Sequence, residues 1–264
     1  MRRLAIALLL IGFAASGCSG GGAVGLDVVG SPVSTPPVVY AAVGASETVG
    51  VGTPDPLRQA WPRVLWKTAL PDAVFYDFGV SGSTVAQALV EQVPAVLAVH
   101  PDVVTVWLNV NDLIARVPVR TYGSELDALV GALRREGRTQ VLVATAPRLD
   151  GLPAYRRCYP TLSPDCQIAD QLRSAGLTLP PPAEVRARVD RYNAAIRRVA
   201  AKDGAIVVDL AALGNAPTTH PEYIADDGFH PSAAGAQIVA ASFAAALPTE
   251  LITMAGGRVS TPTP

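Results

Sequence analysis

Five short apolar runs, at residues 38–43, 73–78, 103–108, 140–146 and 205–210, recur along the chain, and a stretch of helical character separates each from the next. The first, VVYAAV, combines β-branched, aromatic and small residues and suits a strand buried on both faces, as at the centre of a parallel sheet. Between the runs, residues 184–202 repeat Val185, Val189, Tyr192, Ile196 and Val199 along one helical face, with Gly204 where a C-terminal cap belongs. Asp55-Pro56 opens a helix expected to run to about Leu70, residues 82–99 read as a helix divided by Pro94, and helices are expected near 122–135 and 232–246. Strands alternating with helices in this way predict an α/β fold with a five-stranded parallel sheet covered on both faces.

Length and charge narrow the function. At 264 residues, half of them hydrophobic, the chain can bury one sizeable core, and one domain of roughly 200 residues is expected. Lys and Arg total 21 against 22 Asp and Glu, with no basic stripe and no heptad array. Nucleic acid is therefore not the expected partner; a small or extended organic molecule is.

The ends of the chain read differently from its middle. Arg2-Arg3, an apolar core at residues 4–15 and small residues before Cys18 make an export signal too short to span a bilayer comfortably. The segment resembles a bacterial lipoprotein signal, which implies lipidation of Cys18 and a membrane anchor on the outer face, although Ala15 stands where such signals prefer Leu. Residues 19–37, rich in Gly, Ser and Pro, read as a tether, residues 38–247 as the folded domain, and residues 248–264 as a frayed tail. With Cys18 set aside, Cys158 and Cys166 form an even pair that an oxidising compartment would let bridge. They fall in residues 148–182, a proline-rich insertion without a clean period and a candidate lid.

Candidate chemistry gathers beyond the strands. In a parallel sheet all carboxyl ends lie on one edge, so Ser46 after the first run, Gly79 after the second and Asn111 after the third converge there. Asp227 and His230, just ahead of the last helix, can return to the same edge. A serine hydroxyl needs a base such as His230, and Asp227, three residues earlier, can fix the orientation of that ring. Asp226 is an alternative orienter. The N–H groups of Ser46 and Gly79 and the side-chain amide of Asn111 are donors for an oxyanion. His100 reads as a helix-end residue, His220 as a surface loop residue, and Trp61, Trp66 and Trp107 as packing.

These residues resemble the sequence blocks of SGNH hydrolases, the GDSL esterase/lipase superfamily: Gly44-Ala45-Ser46, Gly79 in FGVSGST, Asn111 in NVND, and Asp227 with His230 in DGFHPSAAG. The resemblance spans most of residues 38–246 and implies a flavodoxin-like three-layer α/β/α sandwich. It also implies ester hydrolysis through an acyl-serine intermediate without metal or organic cofactor. Ala45 replaces the usual Asp and Asn109 the usual Gly, which removes a carboxylate from the serine loop and crowds a tight turn. An α/β-hydrolase elbow, G-x-S-x-G, would need glycine where Thr48 stands. Two other functions share this reading: a carbohydrate- or lipid-binding lipoprotein without turnover, and an acyltransferase to sugar hydroxyls.

Overall fold

The computed structural model describes residues 36–166, 169–174, 178–214 and 216–258; the expected signal, Cys18 and nearly all of the tether lie outside them. In chain order the principal elements are β1 (Val39–Gly44), α1 (Ser46–Val49), α2 (Pro56–Gln59), α3 (Trp61–Ala69), β2 (Val74–Asp77), α4 (Val85–Glu91), α5 (Val93–Ala98) and β3 (Val103–Trp107). There follow α6 (Val110–Ile114), α7 (Val119–Arg134), β4 (Gln140–Ala144), α8 (Pro153–Cys158), α9 (Ala169–Ser174), α10 (Pro182–Asp203), β5 (Ile206–Val208), α11 (Ala216–Thr219), α12 (Ala233–Ala246) and α13 (Thr249–Met254).

All five strands are parallel, in the order β2-β1-β3-β4-β5, which is the doubly wound arrangement with a switch point between β1 and β3. Side chains of a strand alternate between faces, so each central strand feeds two cores. Ala41, Val43, Val104, Val106, Val141 and Val143 pack under α4, α5, α7 and α10. Tyr40, Ala42, Leu142 and Ala144 face α3, α12 and α13 instead. On that second side Trp61 stacks on Phe243 with ring centroids 4.2 Å apart, and Trp66 donates its indole N–H to the Ala73 carbonyl. Each fully buried large apolar side chain in these layers contributes about 1.5–3 kcal/mol.

Three expectations are corrected. The helix expected from Pro56 to Leu70 is two, broken at Ala60 (φ −54°, ψ 138°), because Pro62 has no N–H to bond back into a preceding turn. The tail is not frayed along its described length: Leu251, Ile252 and Ala255 are buried, and the Ala255 carbonyl accepts from the N–H of Asp72. Asn109 does not crowd its turn, since its φ of −165° is ordinary extended backbone and its amide donates to the Ala144 carbonyl at 3.2 Å. The division at Pro94 is as expected, with that proline opening α5.

Candidate active site

The strand registers put the candidate residues on one rim. Gly44 at the end of β1 lies opposite Trp107 at the end of β3, so Ser46 and Asn111 follow from neighbouring strand ends at the switch point. The chain turns immediately after Gly44: the Ala45 carbonyl accepts from the N–H groups of Thr48 and Val49, and Ser46 becomes the first residue of α1. Only glycine fits at position 44, because a Cβ there would overlap Thr48 Oγ1. Gln92, buried on α4's C-terminal side, clamps this corner by accepting from the Gly44 N–H (3.1 Å) and donating to the Gly44 carbonyl (3.0 Å) and Ser83 Oγ (3.2 Å).

His230 reaches Ser46 from the other end of the chain. Its turn is closed by the Ala225 N–H donating to the His230 carbonyl, and by the Ser232 N–H donating to the Tyr223 carbonyl. His230 Nε2 lies 2.9 Å from Ser46 Oγ, and Nδ1 lies 2.6 Å from Asp227 Oδ2. The other carboxylate oxygen, Asp227 Oδ1, accepts the N–H groups of Phe229 (2.8 Å) and His230 (3.0 Å). Partial burial works to raise the Asp227 carboxyl, but the His230 ring and the two N–H groups outweigh it and hold the group below the ordinary aspartate value. Asp226 is exposed, and among the described residues it enters only through its backbone carbonyl, which accepts from Arg157. His220 is on the surface, paired with Glu222 and stacked on Tyr223, and His100 follows α5, 2.9 Å from the Arg135 guanidinium.

The expectation for Gly79 is corrected by its partner. Its N–H donates to Asp77 Oδ1 at 3.0 Å, so it is not available to a ligand oxygen. Three residues on, Gly82 is exposed at φ +84°, and among the described hydrogen bonds neither its N–H nor that of Ser46 has a partner. Asn111 Nδ2 donates to the carbonyl of the next residue, Ser83, at 3.0 Å, so the amide lies beside Gly82 rather than Gly79. Asp112 anchors the same loop by accepting the Val85 N–H with both oxygens, and burial raises its carboxyl to about 6, partly offset by that N–H.

Sequence reasoning passed over Gln92 and Glu47. Gln92 stands seven residues after Val85 on the apolar stripe of its helix, and a polar side chain there was a legible signal. Glu47 is 8% exposed, its Oε2 is 3.4 Å from Ser46 Oγ, and burial pushes its carboxyl up, only partly countered by its own N–H, by His230 and by Ser46. A carboxyl raised in the folded state makes that state bind more protons, so its ionisation costs stability as pH climbs from the ordinary glutamate value through the folded one. Compared between pH 4 and pH 8, Glu47→Gln is therefore expected to match wild type in Tm at the acid end and to exceed it at the alkaline end, by about 2–4 °C per kcal/mol of relief. Calorimetric scans across that range check this; a constant difference at every pH would refute it.

Among the described residues no group of three or more His, Cys, Asp or Glu side chains is placed to hold a metal ion, and no helix is long and apolar enough to cross a membrane. A family model for the GDSL-like lipase/acylhydrolase family matches residues 42–238, a span that includes Ser46, Gly82, Asn111, Asp227 and His230. The chain belongs to that family. As a GDSL-like hydrolase it acts on esters, and its architecture is that of SGNH hydrolases. Solved structures agree on the fold. A crystal structure of TesA is 21% identical with a TM-score of 0.60, covering 81% of this chain and 99% of that one. The extracellular lipase from Streptomyces rimosus is 20% identical (TM-score 0.57, covering 80% and 100%). The acetyl xylan esterase AlAXEase is 18% identical (TM-score 0.56, covering 80% and 100%). A comparison with curated protein sequences gave no match.

Proposed function

We propose that this GDSL-like hydrolase is an extracytoplasmic serine esterase that cleaves carboxylic esters through an acyl-serine intermediate. The observation that carries the reading is the unbroken line from Ser46 Oγ to His230 (2.9 Å) to Asp227 (2.6 Å). Ser46 Oγ attacks the ester carbonyl while His230 Nε2 takes its proton; Asp227 holds the ring and stabilises the imidazolium. The negative oxygen that forms is met by the N–H groups of Ser46 and Gly82 and by the Asn111 amide. Collapse expels the alcohol, which takes the proton from His230, and water then repeats the sequence against the acyl-serine to release the acid and regenerate Ser46. The binding-only alternative drew on Ala45 and Asn109, and neither disturbs this line: Asn109 is extended and hydrogen-bonded, and Ala45 still supplies the carbonyl that closes the serine turn.

Export is supported from two sides. The signal-like residues 1–18 with Cys18 carry the expectation of a lipid anchor, and the Cys158–Cys166 disulfide suits an oxidising compartment. The decisive test of the chemistry is an alkyl fluorophosphonate, a phosphorus mimic of the tetrahedral intermediate. It is expected to block hydrolysis of p-nitrophenyl acetate and to modify the peptide bearing Ser46, as read by mass spectrometry. Turnover that persists with Ser46 unmodified at saturating probe would sink the proposal. Product analysis with water and a sugar in competition separates hydrolysis from transfer.

A further inference from the structure

Beside the candidate triad lies a cavity of about 520 Å³, within the range of small-molecule sites and larger than an acetyl group requires. One wall is the triad's own turn, Asp227, Phe229 and His230. The others come from the end of α6 (Leu113), from the insertion (Leu149, Leu152, Leu179) and from α10 (Val185, Val189). The insertion is fastened to the triad turn, because the Ala154 N–H donates to the Gly228 carbonyl at 3.0 Å. Its outer part is closed by the bond between Cys158 and Cys166, so Cys158 presents no thiol to the cavity.

Of the polar side chains on the walls, Arg116, Asp165 and Thr178 are exposed, and three others are committed elsewhere. The Tyr155 hydroxyl donates to the Pro180 carbonyl (2.6 Å), Arg188 pairs with Glu184 (3.2 Å) and Arg157 donates to the Asp226 carbonyl (3.4 Å). None of the buried polar side-chain atoms left without a partner among the described residues belongs to this lining. A sugar ring entering would exchange its hydration for few hydrogen bonds, which is costly, whereas a hydrocarbon chain would gain with every methylene it buries.

We infer that this cavity receives an unbranched hydrocarbon chain of the ester, so that the substrate is a lipid-like ester rather than an acetylated glycan. The inference rests on the serine-esterase reading for its placement beside the reacting bond. His230 faces both halves of an ester, so the chain enters from the acid or from the alcohol, and two series of substrates distinguish these sources. One is p-nitrophenyl esters from acetate to decanoate; the other is acetate esters of alcohols from ethanol to decanol.

In one of the series kcat/KM is expected to rise about fourfold per methylene, the increment of a buried CH₂, until the cavity is full. Val185→Trp and Leu179→Trp fill the cavity from two partly buried positions, so that one of them can tolerate the larger ring. In each that folds, kcat/KM for the longest ester is expected to fall at least about tenfold further than kcat/KM for acetate. Indifference of wild type to length in both series, or a folded variant with the wild-type length profile, would overturn the inference. Calorimetric binding of p-nitrophenyl decanoate to the Ser46→Ala protein tests the cavity without turnover. Binding of it, or of decyl acetate, with a negative heat-capacity change that is lost in the Trp variants is expected even if the esterase reading fails; binding of neither overturns the inference on its own.

Discussion

Replacing Ser46 by Ala is expected to lower kcat on p-nitrophenyl acetate by about 10⁴-fold or more, and replacing His230 by Ala to do the same. The two act as a unit. Once the hydroxyl is gone, the imidazole has no proton to take, and without the imidazole the hydroxyl is a poor nucleophile at neutral pH. The double variant should therefore be no slower than either single one, within the residue of rate left by substrate binding and the oxyanion donors. Among the described residues Ser46 Oγ bonds only to His230 Nε2 and, at 3.4 Å, to Glu47, so its loss should leave the fold in place. Unchanged circular dichroism and a Tm within a few degrees of wild type are the controls. A Ser46→Ala protein that turns over at the wild-type rate, freshly purified from a host lacking other esterases, would leave the mechanism without its nucleophile.

How much of this was legible in the sequence depends on which force fixed each feature. Val103 to Trp107 is buried at every residue, so its strand could be read from composition alone. That Ser46 and His230 meet was legible because topology brings the ends of parallel strands together whatever the intervening loops do. The loop proposed to hold the oxyanion was not, since FGVSGST contains two glycines and nothing in their spacing says which N–H is free. That choice is made by the Asp77 side chain, which turns back onto the Gly79 N–H, and by Asn111 lying against Ser83. The short α13 was missed because six residues carry too little periodicity to show that Leu251 and Ile252 are covered by the chain around Asp72. Within the insertion the Cys158–Cys166 bridge was legible from the even cysteine pair, whereas α8 was not, because the Gly228 carbonyl that holds its start comes from a distant part of the chain and leaves no local pattern.

Asp227→Asn separates two adjacent carboxylates that spacing alone distinguishes poorly, and it is expected to cost about 10³–10⁴-fold in kcat with little change in KM. The reason lies in what each carboxylate oxygen accepts. Oδ1 takes two backbone N–H groups, from Phe229 and His230, so an asparagine must place its carbonyl there or set donor against donor. Its NH₂ then faces His230 Nδ1, where wild type has Oδ2 at 2.6 Å. The ring must accept at Nδ1 and carry its proton on Nε2, facing Ser46 Oγ, and in that tautomer it cannot take the hydroxyl proton. Asp226→Asn should change kcat less than about threefold, because among the described residues only the backbone carbonyl of Asp226 is engaged. The same pair predicts a stability signature. Asp227 is held below the ordinary aspartate value in the folded state, so its contribution is full above about pH 4 and fades as pH falls through the lower folded value. The Tm difference between wild type and Asp227→Asn should therefore be present at neutral pH and close in acid. Steady-state kinetics of the two variants decide the assignment: a large loss in Asp226→Asn with Asp227→Asn near wild type would transfer the orienting role to the neighbouring residue.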